Sequence, residues 1–304
     1  MTEVMLAQPG DISRLRSDQW AFEGKWDGNR LLVDASKEDE LSLRTRAGRE
    51  VSSEYVGLYQ ELDLLLYKHR VVVDGEVVAL DEAGVPRFNE VQNHRRSRRV
   101  HFWAFDVLKV DGDDLSRLRY AERRQILETL GELTGLTVPG LIPVETGAEA
   151  LAWSRERELE GVVAKRLDSR YYGKRSPLWL KGKNWLHQEV VIGGWQWGEG
   201  RRVGTIGSLL MGIPAEDETL SYVGRVGTGF SDADLAYLLD LLVPLQIEKS
   251  PFRTLVPANS VFVQPVLVGE VQYGERTHGG ILRQPSWRGL RTDKTAAEVR
   301  VEGR

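Results

Sequence analysis

The feature that most constrains this chain is a change of rhythm near residue 185. Before it, strand-like and helix-like stretches alternate; after it come short strands broken by glycine, with one clear helix. In the first part Leu31-Leu32-Val33 and Leu41-Ser42-Leu43 read as strands. Tyr55, Leu58, Tyr59, Leu62, Leu65 and Leu66 recur at helical spacing behind Ser52 and Ser53, which predicts an amphipathic helix capped by those serines. Residues 102–108 form a further strand, and 116–130 and 148–159 predict exposed, charge-laced helices. Val71-Val72-Val73 and Val77-Val78-Ala79-Leu80 flank Asp74-Gly75, which is either a type I′ hairpin turn or the middle of one strand carrying Glu76. In the second part 189–197, 203–213, 220–226 and 261–273 are strands. The helix, 231–242, opens with a capping box from Ser231 to Asp234 and presents Leu235, Leu238, Leu239 and Leu242 on one face. Five strands with one helix suggest an OB-fold barrel. The expectation is an α+β chain of two domains, 1–188 and 189–304, which suits a length of 304 residues.

Composition narrows the function classes. Apolar residues make up 41% and charged residues 28%, as in ordinary globular protein, and no apolar run approaches the roughly 18 residues of a membrane span. With no cysteine there is neither a disulfide framework nor a thiolate metal site. Met1-Thr2-Glu3 lacks a secretion signal's basic start and apolar run, so a cytoplasmic monomer with no membrane partner is expected. Basic residues number 29 against 31 acidic ones over 1–188, and 12 against 14 over 189–304. Neither part is a globally basic nucleic-acid binder, so any such surface must be a local patch. The densest candidate is Arg95, Arg96, Arg98 and Arg99 in the run from His94 to His101. Trp195 and Trp197 alternate on one strand face and are expected in the barrel core.

Neither a P-loop nor a Gly-x-Gly-x-x-Gly fingerprint occurs. Instead Glu23-Gly24-Lys25-Trp26-Asp27-Gly28-Asn29-Arg30 places a lysine in a glycine-flanked turn. Such an amine is a candidate nucleophile once burial or neighbouring cations favour its neutral form, although Lys-x-Asp-Gly alone is also a common surface turn. Asp74-Gly75-Glu76, the 102–108 strand, Glu160-Gly161-Val162-Val163-Ala164-Lys165, Trp179-Leu180-Lys181-Gly182-Lys183 and Arg291-Thr292-Asp293-Lys294 follow it in order.

That ordered set resembles the motif series of ATP-dependent DNA ligases, within the covalent nucleotidyltransferases. Trp20-Ala21-Phe22-Glu23 and 286–291 look most like the ligase module of bacterial end-joining ligases of the D type. The resemblance implies an adenylation domain of antiparallel sheets and helices followed by the OB-fold. It implies that Lys25 attacks the α-phosphorus of ATP to give a lysyl-AMP adduct. AMP then passes to the 5′-phosphate of nicked duplex DNA, and a 3′-hydroxyl displaces it. Glu76 and Glu160 are implied near the nucleotide sugar and as ligands of Mg²⁺ or Mn²⁺. Lys181 and Lys183, on alternate strand positions, are implied on the phosphates, where they would help to lower the Lys25 pKa. Phe105 is implied as the stacking partner of adenine, Glu23 as acceptor of its amino group, and Arg30 as a ribose or phosphate contact. Arg46, with Arg44 beside it, matches the position that meets the nick phosphate. Arg291, Asp293 and Lys294 match the terminal motif that closes over ATP through a hinge motion. A Ku-type end-binding protein or a polymerase is a partner the resemblance suggests. RNA ligases and capping guanylyltransferases share the lysine motif, and a non-catalytic nucleic-acid clamp is the rival outside enzymology.

Overall fold

The computed structural model describes residues 3–37, 40–82, 84–86, 91, 100–217, 219–277 and 279–302. The chain divides into two compact units, Met1–Asn184 and Trp185–Arg304. The division falls before residue 188 because Leu186–Trp197 is a single strand that residue 188 would cut. Arg95, Arg96, Arg98 and Arg99 lie outside the described residues.

The first unit is built on two sheets. One runs in the order β1 (Leu6–Pro9), β9 (Arg175–Lys183), β8 (Gly161–Arg166), β2 (Trp20–Lys25). The other runs β4 (Glu40–Thr45), β3 (Asn29–Lys37), β5 (Val71–Ala79), β6 (Val100–Val110), β7 (Asp113–Asp114). β5 is therefore one continuous strand, and Asp74-Gly75 is no turn. Asp74 is fully buried, and Arg30 holds its carboxylate through two hydrogen bonds of 2.9 and 2.6 Å. A partner distant in sequence decides what the local turn rule left open.

The helix behind the serines is shorter than its apolar periodicity. Two 3₁₀ turns, Ser52–Glu54 and Val56–Leu58, precede the helix Tyr59–Lys68, and no serine caps it. Ser52 Oγ instead accepts from the Leu43 amide at 2.8 Å and ties the turn to β4. The helix Tyr120–Thr134 is not simply an exposed, charged one, since Arg123 and Arg124 are buried. Arg123 grips Asp106 at 2.7 and 2.9 Å, a pair with no exposed side-chain surface. The helix Gly147–Glu156 opens with a capping box from Thr146 to Glu149.

The second unit is an OB-fold around the long strand β10 (Leu186–Trp197). β10 pairs along one side with β11 (Ile206–Pro214), which pairs β12 (Leu220–Val226). On its other side it pairs β14 (Ser260–Val263) and β15 (Val268–Tyr273) at different ends. The short β13 (Gln246–Ile247) joins β14, β16 (Glu275–Arg276) pairs β17 (Leu282–Arg283), and β18 (Ser286–Leu290) pairs β15. The expected single strand 261–273 is thus two strands, interrupted around Pro265, which has no amide hydrogen for a ladder. The helix Asp232–Leu242 carries the Ser231 to Asp234 capping box and buries Leu235, Leu238 and Leu242. Trp195 is fully buried, but Trp197 is 49% exposed, contrary to the expectation that both lie in the core. The register of β10 on β11 shifts between Gln196 and Trp197, which breaks the alternation there. Among the described residues no helix is long and apolar enough to cross a membrane.

Candidate active site

A cavity of about 470 Å³ in the first unit gathers residues from both sheets. Lys25, Glu23, Arg30, Glu76, Phe105 and Lys181 line it, together with Arg46 from the turn after β4. Lys25 ends β2, opposite Gly161 of the neighbouring β8, and Gly161 is also opposite Lys183 of β9. Glu160, just before Gly161, consequently stands between the two lysines. Lys25 Nζ donates a hydrogen bond to one of its oxygens, and Lys183 Nζ lies 2.8 Å from the other. Burial pushes the Glu160 carboxyl upward, but Lys25 and Lys183 outweigh it and hold the group below the usual carboxylate range. Gly161 is required there, because a Cβ would stand 2.1 Å from the Gly182 carbonyl oxygen.

Lys181 faces the same cavity from β9. Burial lowers its pKa, and the positive charges of Lys25 and Lys183 lower it further. Lys25 and Lys183 thus share the Glu160 carboxylate, with Lys181 on the adjoining strand. The arrangement suits an anionic ligand.

The second sheet supplies the opposite wall. Arg30 faces Glu76 across β3 and β5, and Gly28 lets the turn approach β5, since a Cβ there would stand 2.2 Å from the Val77 carbonyl oxygen. Burial pushes the Glu76 carboxyl up to about 8 against the pull of Lys25 and Arg30. Arg30 is committed to Asp74, and its guanidinium lies 5.2 Å from the Phe105 ring centre. Burial disfavours its charge, but Asp74 outweighs burial and raises its pKa. A ribose or phosphate contact by Arg30 would therefore use what Asp74 leaves free. On β6, Asp106 pairs Asp74 while Ala104 pairs Gly75, so Phe105 is the extra residue of a bulge that turns its ring to the cavity.

Glu23 lines the cavity and is also held within the protein. Tyr120 donates to one oxygen, Lys165 Nζ lies 2.8 Å from the other, and Arg124 is at 4.0 Å. Of a carboxylate's roughly four acceptor positions Tyr120 and Lys165 take two, which leaves acceptor capacity for an adenine amino group. Arg44 reaches Ser42 at 2.9 Å and lines an adjoining groove of about 280 Å³ with Arg46 and Lys174. In the second unit Arg291 forks onto Asp293 at 2.9 and 2.8 Å, and Lys294 reaches Glu189 at 2.8 Å.

Sequence reasoning assigned no role to Lys165. Its ammonium is 1% exposed, donates to the Phe105 carbonyl at 2.9 Å, and lies over the rings of Trp179 (4.3 Å), Phe105 (4.5 Å) and Tyr120 (5.1 Å). Burial lowers its pKa, with Glu23 opposing. The available signal was a charge inside the apolar run Val162-Val163-Ala164-Lys165, which is costly unless paired. Asp74 and Trp179 were missed as cavity supports in the same way.

Known proteins resemble this chain in sequence and fold. The sequence family described as ATP dependent DNA ligase domain matches residues 4–183, and the ATP dependent DNA ligase C terminal region matches 202–294. The multifunctional non-homologous end joining protein LigD of Mycolicibacterium smegmatis is 53% identical over 97% of this chain, which spans 39% of that protein's length. The crystal structure of the ligase domain of M. tuberculosis LigD is 50% identical, with a TM-score of 0.60 over 99% of this chain and 98% of that one. A mycobacterial DNA ligase D complexed with ATP and MES matches with the same identity, TM-score and coverage.

Proposed function

The chain belongs to the ATP-dependent DNA ligases, and from that premise we propose that Lys25 is the adenylated nucleophile of an enzyme that seals nicks in duplex DNA during end joining. The observation that carries the reading is the Lys25–Glu160–Lys183 cluster, whose Lys25 lines the cavity. An ammonium has no lone pair, so Lys25 must lose a proton before it attacks. Glu160, its hydrogen-bond acceptor, is the base in contact with it. The nitrogen then bonds to the α-phosphorus as the bond to pyrophosphate breaks. Lys181 lines the cavity and Lys183 follows it on the same face of β9, where both can neutralise charge developing on the phosphoryl oxygens. Phe105 offers a ring face to the base, and Arg30, braced by Asp74, fixes the sugar side. Arg46 and Arg44 line the groove that adjoins the nucleotide cavity and suit the 5′-phosphate of the nick.

Among the described residues no group of three acidic or histidine side chains forms a complete metal cage. Glu160, and Glu76 once a cation displaces the proton that burial favours, would offer the oxygen donors of a Mg²⁺ or Mn²⁺ ion whose shell phosphates and water complete. Such an ion would supply charge neutralisation at the phosphates. The units 1–184 and 185–304 serve as adenylation domain and OB-fold domain, and a Ku-type end-binding protein fits the end-joining setting.

The test is incubation with α-labelled ATP or GTP and Mg²⁺, followed by denaturation and peptide mapping. Label from ATP on Lys25 is expected. Label from GTP would move the reading to a capping-type transferase. No label with either nucleotide, from protein shown by mass to be free of AMP, would overturn the enzyme reading.

A further inference from the structure

The basic side chains at the end of the OB-fold unit are already occupied. Glu189 of β10 and Glu270 of β15 stand directly opposite each other across the strand pair. Like charges so placed repel unless a cation joins them. Arg291, just after β18, supplies it: one terminal nitrogen lies 2.7 Å from Glu189 and 3.2 Å from Glu270. Its other terminal nitrogen and its Nε hold Asp293 at 2.8 and 2.9 Å. Lys294 takes the remaining Glu189 oxygen at 2.8 Å, and His187 Nδ1 lies 2.8 Å from the other oxygen of Glu270. Every nitrogen of the Arg291 fork therefore faces a carboxylate. Glu189 is 7% exposed at its side chain, whereas Glu270 is 27% and Arg291 28% exposed, so the cluster opens to solvent on the Glu270 side.

We propose that Glu189 and Glu270 are positioning residues that hold Arg291 and Lys294 as a preformed clamp and compete with the pyrophosphate half of ATP for them. The inference rests on the ligase reading above and on the resemblance of Arg291, Asp293 and Lys294 to the motif that closes over ATP during charging. Four of the five guanidinium N–H groups face carboxylates, so a phosphate that takes more than the remaining Nη2 hydrogen must displace or share one of them. An exchange of that kind lowers the apparent affinity by the free energy of the contact given up. The same carboxylates recapture the cations once the bond to pyrophosphate has broken, which favours product departure. The clamp thus sets how much ATP is needed to charge Lys25 and how readily pyrophosphate discharges it.

Two substitutions move the competition in opposite directions. Glu270→Gln keeps the shape and removes the charge, which weakens the hold on Arg291. His187→Ala removes the other partner of Glu270 and leaves that carboxylate wholly to Arg291. Self-adenylation of the full chain is measured against ATP concentration, and discharge of the purified lysyl-AMP form against pyrophosphate concentration. For Glu270→Gln the KM for ATP is expected to fall about fivefold, the upper end for a part-exposed ion pair, with kcat unchanged. Half-discharge should need correspondingly less pyrophosphate. For His187→Ala both concentrations should rise. A merely structural role would not shift KM in opposite senses in the two variants. Unaltered KM in both, or a rise in Glu270→Gln, would overturn the proposal. If melting shows Glu270→Gln to be unfolded, the His187→Ala arm decides alone. Failure of the unsubstituted protein to take label from ATP would instead sink the ligase reading itself.

Discussion

Two clusters of cations and carboxylates, one in each unit, are balanced in opposite ways. Around Glu160 one carboxylate serves Lys25 and Lys183, with Lys181 nearby. Around Arg291 three carboxylates, Glu189, Glu270 and Asp293, serve two cations that bind them directly. The first cluster gathers three amines around Glu160 at a cavity where burial favours the neutral form of Glu76, and so suits a phosphate. The second is rich in anions, and gives up contacts when a phosphate takes the fork of Arg291. The difference teaches that the same residue types can build a resting receptor or a competitor, and the count of neighbouring carboxylates tells them apart.

The largest effect is expected from removing the nucleophile. Lys25→Ala should abolish self-adenylation and sealing of an ordinary nick, yet still seal a nick that already carries 5′-AMP. Loss on the pre-adenylated substrate as well would mean that Lys25 does more than carry AMP. Next in size is Glu160→Gln, which leaves Lys25 and Lys183 without their shared charge. Lysyl-AMP formation should fall at least about a hundredfold, the scale of a lost proton acceptor. A smaller deficit in a well-folded variant would show the first cluster to work without its base. On the anion-rich side, Arg291→Ala should slow self-adenylation about tenfold to a hundredfold, the range for losing a charged hydrogen bond, and spare pre-adenylated nicks. Equal loss on both substrates would point to damage of the barrel.

Much of this contrast was legible in the sequence, but unevenly. Lys181 and Lys183 could be set on one face by strand alternation, while Lys25 and Glu160 joined them only through the resemblance that the ordered motifs carry. The Ser231 capping box and the apolar face of 231–242 are likewise local, and the structure shows both. Pairings between distant segments could not be read. Asp74-Gly75 could be a turn or the middle of a strand until Arg30 and Tyr171 supplied partners for the Asp74 carboxylate. The 116–130 stretch looked like an exposed charged helix because nothing local shows that Arg123 meets Asp106. Trp197 left the core through a register shift that alternation does not foresee. The carboxylates around Arg291 include Glu189 and Glu270 from two other strands, so its motif looked like free charge.

The smallest predicted effect probes those carboxylate contacts directly. Hydrogen bonds from Arg291 hold the Asp293 carboxyl down to about 2, from an ordinary 3.8. A depressed acid stabilises the fold above its ordinary pKa, and that contribution is lost as pH falls from about 4 toward 2. Asp293 is exposed, so solvent screening keeps the gain small. Its signature is clearer in a titration followed by nuclear magnetic resonance than in a melting curve. At pH near 3 the Asp293 carboxyl should remain ionised in the unsubstituted chain and be mostly protonated in Arg291→Ala. An ordinary titration in both proteins would mean that the Arg291 fork does not rest on Asp293 in solution. One of its carboxylate contacts would then be free, and the second cluster would resemble the first.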